Sequence, residues 1–386
     1  MIPELRCRFN AAFTPQKYAA FLAAMDSRAG TPVKFRQSET PCFFPRELVD
    51  RMAACGRELI EQLVGDRDYL ARAATTIPPE FRVPNPSLHP LFVQADFGLD
   101  HNRDPKLVEI QGFPSLYAYQ IALAQQYRES YSLDGSLRFL LGDLDVAAYQ
   151  RLLGHAVLGG HAPENVVLME IEPRSQKTLP DFLLTERLFG IRTVCITEVR
   201  KEGNRLYHGP TPIRRIYNRA IVDEIQRRGI RPAFDFRDAL DVEWAGHPDW
   251  YFLLSKFSIP HLRHRSVPKT WFLDQLDELP DDLDRYVLKP LYSFAGLGVK
   301  VGVTREDIAA IPPGERANHI LQERVAFAPV IDTPHGPTQA EVRVMYIWDG
   351  APRAVCTLIR MGRGKMMGVD HNRDMEWVGA SAGFYL

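Results

Sequence analysis

Five prolines fall within the fifteen residues 76–90, in the run TIPPEFRVPNPSLHP. Proline fixes φ and lacks an amide hydrogen, so neither a helix nor an interior strand crosses such a run. The run separates two regions with different hydrophobic periods. Before it, Leu48, Met52, Cys55, Leu59 and Leu63 recur at intervals of three and four, which is one apolar helix face. Tyr18, Phe21, Leu22 and Met25 mark an earlier helix in the same way. Residues 1–90 therefore read as an N-terminal helical region. At 386 residues the chain has room for two or three domains of about 150 each.

After the prolines, LFVQADF (91–97) and KLVEI (106–110) read as two strands joined by the polar turn GLDHNRDP. A helix follows in SLYAYQIALAQQYRESY, and then another apolar stretch in VAAYQRLLGHAVL. From Asn165 strand and helix alternate: NVVLMEI, then TLPDFLLTERLFG ending at Gly190, then RTVCITE and RRIYN. That alternation predicts an α/β layer with a parallel sheet. The last third reads YVLKPL, VKVGV, HILQERV, EVRVMYIW and RAVCTLI, with one short helix at REDIAAI. Strands in succession predict an α+β arrangement with an antiparallel sheet. The pentapeptide DHNRD occurs at 100–104 and 370–374 with unrelated flanks, and reads as coincidence.

Composition narrows the partners. Lys and Arg number 47 against 48 Asp and Glu, so no basic surplus points to nucleic acid or an anionic membrane surface. No apolar stretch reaches the roughly 18 residues of a membrane span. The start, MIPELRCRFNAAF, mixes acid and base and does not read as a signal peptide. Cys7, Cys42, Cys55, Cys195 and Cys356 are odd in number and show no CxxC spacing. They read as reduced thiols of a cytoplasmic protein rather than a zinc site or disulfide frame.

Three constellations carry chemistry. In YVLKPLYSFAGLGVKV a strand-end lysine, Lys289, precedes Ser293, Gly296 and Gly298 in a turn. Glycines let backbone N–H groups approach phosphates, and the lysine adds a charge. The same residues would serve a plain hairpin. Next, Glu109 and Gln111 alternate along one strand and share a face, with Asp96 on the partner strand. Two carboxylates and an amide oxygen suit Mg2+ carrying nucleotide phosphates, although such acids can equally face solvent. Last, Gln322–Val325 could present backbone groups and the Glu323 carboxylate to a base and sugar. Arg343, Arg360, Arg363 and Lys365 could gather around a transferred phosphoryl group, or form a basic surface.

Together these residues resemble the ATP-grasp ligases. The KP followed by SxxGxGV is similar to their phosphate flap, and LQERV to the adenine hinge. EVRV is similar to the next strand, whose acid (here Glu341) often binds ribose. Ser255–Lys256 followed by VPKT looks like the earlier phosphate lysine. Asp96, Glu109 and Gln111 reproduce the spacing of the D–(twelve residues)–E–x–N metal set. Here the metal segment precedes Lys289, so the resemblance is to circularly permuted ATP-grasp proteins, the glutathionylspermidine synthetase group among them.

The resemblance implies residues 91–140 as the permuted metal-binding segment and 141–250 as an α/β pre-grasp substrate domain. Residues 251–386 would form the nucleotide-binding lobes. It implies ATP, with Lys256, Lys289, Ser293, Gly296, Gly298, Gln322, Glu323, Val325 and Glu341 around it. One or two Mg2+ ions would rest on Asp96, Glu109 and Gln111. Arg360, or Arg343 or Arg363, would hold an acyl phosphate. The implied activity is ATP-dependent joining of a small-molecule or peptide carboxylate to an amine or thiol. Phosphorylation of an alcohol, or ATP binding without catalysis, are the alternatives, and an oligomer is compatible with either. Two positions depart from the pattern: Gln111 replaces an asparagine, and Gln94 replaces an arginine two residues before Asp96.

Overall fold

The computed structural model describes residues 1–292, 296–372 and 374–386. It is a mixed α/β protein built on several sheets. Its largest sheet has six strands drawn from distant parts of the chain. These are β1 (Cys42–Phe44), β2 (Phe92–Leu99), β3 (Pro105–Gln111), β15 (Gln339–Trp348), β16 (Pro352–Gly362) and β17 (Gly379–Tyr385), in the order β1-β17-β16-β15-β2-β3. All neighbours run antiparallel except β1 and β17. The helix Arg46–Gly65 lays the expected apolar stripe on this sheet, with Met52 and Leu59 fully buried. The opposite core contains the helix Tyr117–Ser130, packed between the helices Pro15–Ala29 and Leu179–Phe189.

The alternating region forms a four-stranded sheet, β10-β9-β4-β5, in which every pair is parallel. Its strands are β4 (Val166–Glu170), β5 (Arg192–Cys195), β9 (Arg215–Asn218) and β10 (Glu243–Ala245). The helix Leu179–Phe189 ends as expected at Gly190, whose φ of 70° is the left-handed C-cap that glycine adopts at low cost. Between β5 and β9 lies a small antiparallel sheet of β6 (Arg200–Glu202), β7 (Arg205–His208) and β8 (Thr211–Ile213). The fourth sheet is antiparallel, β11-β14-β12-β13, from β11 (Thr270–Phe272), β12 (Tyr286–Pro290), β13 (Lys300–Val301) and β14 (His319–Glu323).

Residues 1–90 are mostly helical, as expected, and CFF adds the short strand β1 to the large sheet. The proline run is anchored: Val83 N donates to Asp249 Oδ1 at 3.2 Å and Trp250 Nε1 to Ser87 Oγ at 2.8 Å. It is a strap held against 247–250. β14 is internal to its sheet, between β11 and β12. Cys7 is exposed, while the other four thiols are buried and free. No described helix is long and apolar enough to cross a membrane.

Candidate active site

The hairpin of β2 and β3 sets the floor of the site. Its register places Asp96 opposite Glu109 and Gln94 opposite Gln111, then slips by one residue. The slip is a bulge that leaves Val108 without a partner on β2. A bulged residue has free backbone groups, and Lys289 at the end of β12 uses one of them. Its Nζ donates to Val108 O at 2.9 Å and to Gln322 Oε1 at 2.5 Å. Gln322 Nε2 in turn donates to Leu107 O at 3.2 Å. One lysine and one glutamine thereby tie the four-stranded antiparallel sheet to the large one. Burial, opposed in part by Glu109, pulls the Lys289 ammonium down to about 8.

β15 places a cation beside Asp96 and Gln94. Arg343 lies opposite Asp96 in register. Its Nε and Nη2 donate to the two Asp96 oxygens at 2.6 and 2.7 Å, and Nη1 donates to Gln94 Oε1 at 2.8 Å. With the Gln111 amide oriented so that its oxygen faces donors, Oε1 accepts from Arg343 Nη2 at 2.7 Å and Nη1 at 3.3 Å. Arg360 on β16 also donates to Asp96, and its Nε donates to Glu341 Oε1 at 2.7 Å. Burial alone would raise the Asp96 carboxyl, but the two arginines outweigh it and hold it at about 2. Burial pushes Glu341 the other way, upward, against the pull of Arg360.

This geometry bears on the expected metal set. Asp96, Glu109 and Gln111 do lie side by side, yet the oxygens of Asp96 and Gln111 are engaged by guanidinium groups. Only Glu109, at 3.7 Å from Arg343 Nη2 and 28% exposed, keeps a carboxylate turned to the opening. Among the described residues, no three His, Cys, Asp or Glu side chains cluster as a metal cage. As they stand the three residues fit arginine rather than a resident divalent ion. Glu341 is likewise paired with Arg360 rather than free for a ribose.

Above the floor is a cavity of about 810 Å3. Asp96, Glu109, Gln111, Lys256, Lys289, Gly296, Gln322, Glu323, Val325, Glu341, Arg343, Arg360, Arg363 and Lys365 all line it. Ser293 lies outside the described residues. Gly298 is not in the lining; its φ is 73° and a Cβ there would meet Pro290 Cγ at 2.9 Å, so it shapes the flap turn. Gly296, with φ 74°, does reach the cavity, facing Met366. The segment after β14 is pinned by Ala328 N, which donates to Leu99 O at 2.8 Å.

Sequence reasoning missed Asn372. Its Oδ1 accepts from Arg363 N and Gly364 N, each at 3.1 Å, and its Nδ2 donates to Met366 O at 2.8 Å. It thus folds the loop that carries Arg363 and Lys365 into the cavity wall. The repeated DHNRD was the available signal. Its first copy does a different job, with Asp100 Oδ1 accepting from Asn102 N and Asp104 N in a turn. Also missed were the walls from Tyr251, Leu254 and Leu358, apolar residues with no chemical signature. Arg215 in the parallel sheet is occupied by Glu243 Oε2 at 2.7 Å and by the carbonyls of Ala156 and Val157.

The chain matches no protein-family model, and no curated protein matches it. The site is a single concave space, walled by apolar groups, with cations and carboxylates converging from two sheets. Such a space suits a polyanionic ligand and a second reactant together.

Proposed function

We propose that this protein is an ATP-dependent ligase that activates a carboxylate as an acyl phosphate and joins it to an amine. The observation that carries the reading is convergence. Residues from β2, β3, the 255–256 turn, β12, β14, β15, β16 and the 363–365 loop meet around one cavity. These are the segments that resemble the ATP-grasp pattern, and they are scattered over more than two hundred positions of sequence. Pairing of β2 with β15 further supports the permuted arrangement, since an early hairpin completes a sheet otherwise made late in the chain.

In this reading the adenine lies along Gln322–Val325. The phosphates reach Lys256 and Lys289 beneath the flap that contains Gly296. ATP would be taken as its Mg2+ complex, a substrate, and Glu109 would be the carboxylate available to the ion. A substrate carboxylate oxygen attacks the γ-phosphorus and ADP leaves. The amine nitrogen then attacks the acyl carbon, phosphate leaves with the C–O electron pair, and the nitrogen gives up a proton. Arg360, with Arg363 and Lys365 beside it, neutralises the charge that develops on the acyl phosphate. Arg343 takes the place of the arginine absent at position 94. Its five N–H groups hold Asp96, Gln94 and Gln111 rigid under the reacting atoms.

Calorimetry tests this directly. Wild-type protein is expected to bind Mg-ATP, and Glu109→Ala to weaken that binding at least tenfold while remaining folded. Mg-ATP that produces no binding heat with folded wild-type protein would sink the proposal.

A further inference from the structure

The second DHNRD brings more than Asn372 to the cavity. Its histidine, His371, lines the opening, whereas His101 of the first copy is exposed in the turn between β2 and β3 and lies outside the lining. Among the described lining residues His371 is the one histidine, and its imidazole makes no hydrogen bond or ion pair with them. Asn372 beside it fixes the loop with four bonds, two accepted from Arg363 N and Gly364 N and two donated to Met366 O and Gly368 O. The His371 N–H donates to Gly368 O at 3.0 Å within the short turn Val369–Asn372. Asp370, on the other side, pairs with Lys177 at 2.7 Å, an exposed contact that adds little energy. The backbone at position 371 is held, while the exposed ring is left to the cavity.

Two glycines make room for that ring. A Cβ on Gly368 would come within 3.1 Å of His371 Cδ2, tighter than side chains ordinarily pack. On the facing wall, a Cβ on Gly296 would lie 3.8 Å from His371 Nε2 and 3.1 Å from Met366 Cε. Gly296 belongs to the flap of the four-stranded antiparallel sheet, and His371 to the loop after β16 of the large sheet. The two walls of the cavity therefore approach each other at Gly296, and Nε2 is the ring nitrogen turned to the flap there.

We propose that His371 is a ligand of the terminal phosphate of the bound nucleoside triphosphate, its Nε2–H donating to a γ-phosphate oxygen where the two walls meet. A phosphate chain beneath the flap turn brings its anionic end to this point, and hydrogen bonds to charged oxygens are the strong ones. Lys289, buried at the floor, serves any phosphate chain, whereas a nucleoside diphosphate ends short of His371. His371 thereby separates triphosphate from diphosphate, which favours loading of ATP and release of ADP once the γ-phosphoryl has passed to the carboxylate. This assignment rests on the ligase reading above.

The test titrates full-length protein with the Mg2+ complexes of β,γ-imido-ATP and of ADP. His371→Ala is expected to weaken imido-ATP about tenfold, the value of one hydrogen bond to a charged oxygen, and ADP by less than about twofold. His371→Gln, whose amide nitrogen reaches the place of Nε2, should recover most of that loss. Gly368→Ala, which crowds the ring without removing it, should reproduce part of it and serves should the His371 variants fail to fold. In protein carrying isotope-labelled histidine, the His371 Nε2 resonance, identified by its absence from the His371 variants, should move with imido-ATP and stay in place with ADP. Equal loss for both nucleotides, no loss for either, or a resonance that ADP moves as far as imido-ATP overturns the assignment while leaving the ligase reading intact. Failure of wild-type protein to bind either nucleotide overturns both.

Discussion

Arg343 is the residue around which the floor of the cavity is organised, and its surroundings make its removal expensive. It is nearly buried, and Asp96 beneath it is fully so. Removing one partner of a buried ion pair leaves a desolvated charge, at a cost of about 3–5 kcal/mol. Arg343→Met, similar in length but uncharged, should therefore lower the unfolding free energy read by denaturant titration by that order, with Arg360 recovering part of it. The Asp96 carboxyl is depressed in the folded state, so its contribution is present above the ordinary carboxylate value. That contribution is lost as pH falls from about 4 toward about 2. Lys289 titrates in the opposite range. Its folded value is lowered to about 8, so the ammonium is charged below that pH and loses its proton above it. Affinity for ATP is expected to fall as pH rises through 8. Because a nearby polyphosphate restores the charge, binding near pH 8.5 should take up a proton. Calorimetry in buffers of different ionisation heat reads that uptake, and Lys289→Met should abolish it.

Among the elements, the hinge depends on a glycine that no motif marked. A Cβ on Gly98 of β2 would come within 2.7 Å of Phe327 Cε1 and Val325 Cγ1. The hinge segment packs directly on that bare backbone. Gly98→Ala should displace the hinge, at an overpacking cost of about 1–3 kcal/mol. It should raise KM for ATP several-fold with little change in kcat, which steady-state kinetics would separate. The legible elements were those with a strong period or a marked stop. The helix 46–65 stripe, Gly190 and the β-branched runs of β4, β12, β15 and β16 could all be read. β17 could not, because GASAGFY is rich in small residues rather than β-branched ones. Its Gly383 is small for a packing reason, since a Cβ there would press on Thr357 Oγ1 at 2.7 Å. β1 has only three residues, too few to show alternation.

At the scale of the molecule, the sequence exposes spacing but not pairing. Asp96, Glu109 and Gln111 could be put on one hairpin from local spacing alone. That Arg343 and Arg360, some 250 residues away, would engage those same oxygens depends on β2 joining β15 in the sheet. Charge pairing thereby turned an expected metal cage into an arginine-braced floor. The near balance of acids and bases takes on a spatial meaning as well. Within the cavity they are matched pair by pair on the large sheet, and Lys289 is held by neutral acceptors. The most direct test of the whole account is a crystal structure with Mg-ATP or a non-hydrolysable analogue. Adenine should lie along Gln322–Val325, and the phosphates should lie between Lys289 and the 296–299 turn, with the γ-phosphate directed at Arg360. Nucleotide found outside this cavity, or a cavity that stays free of it at saturating concentration, would contradict the account.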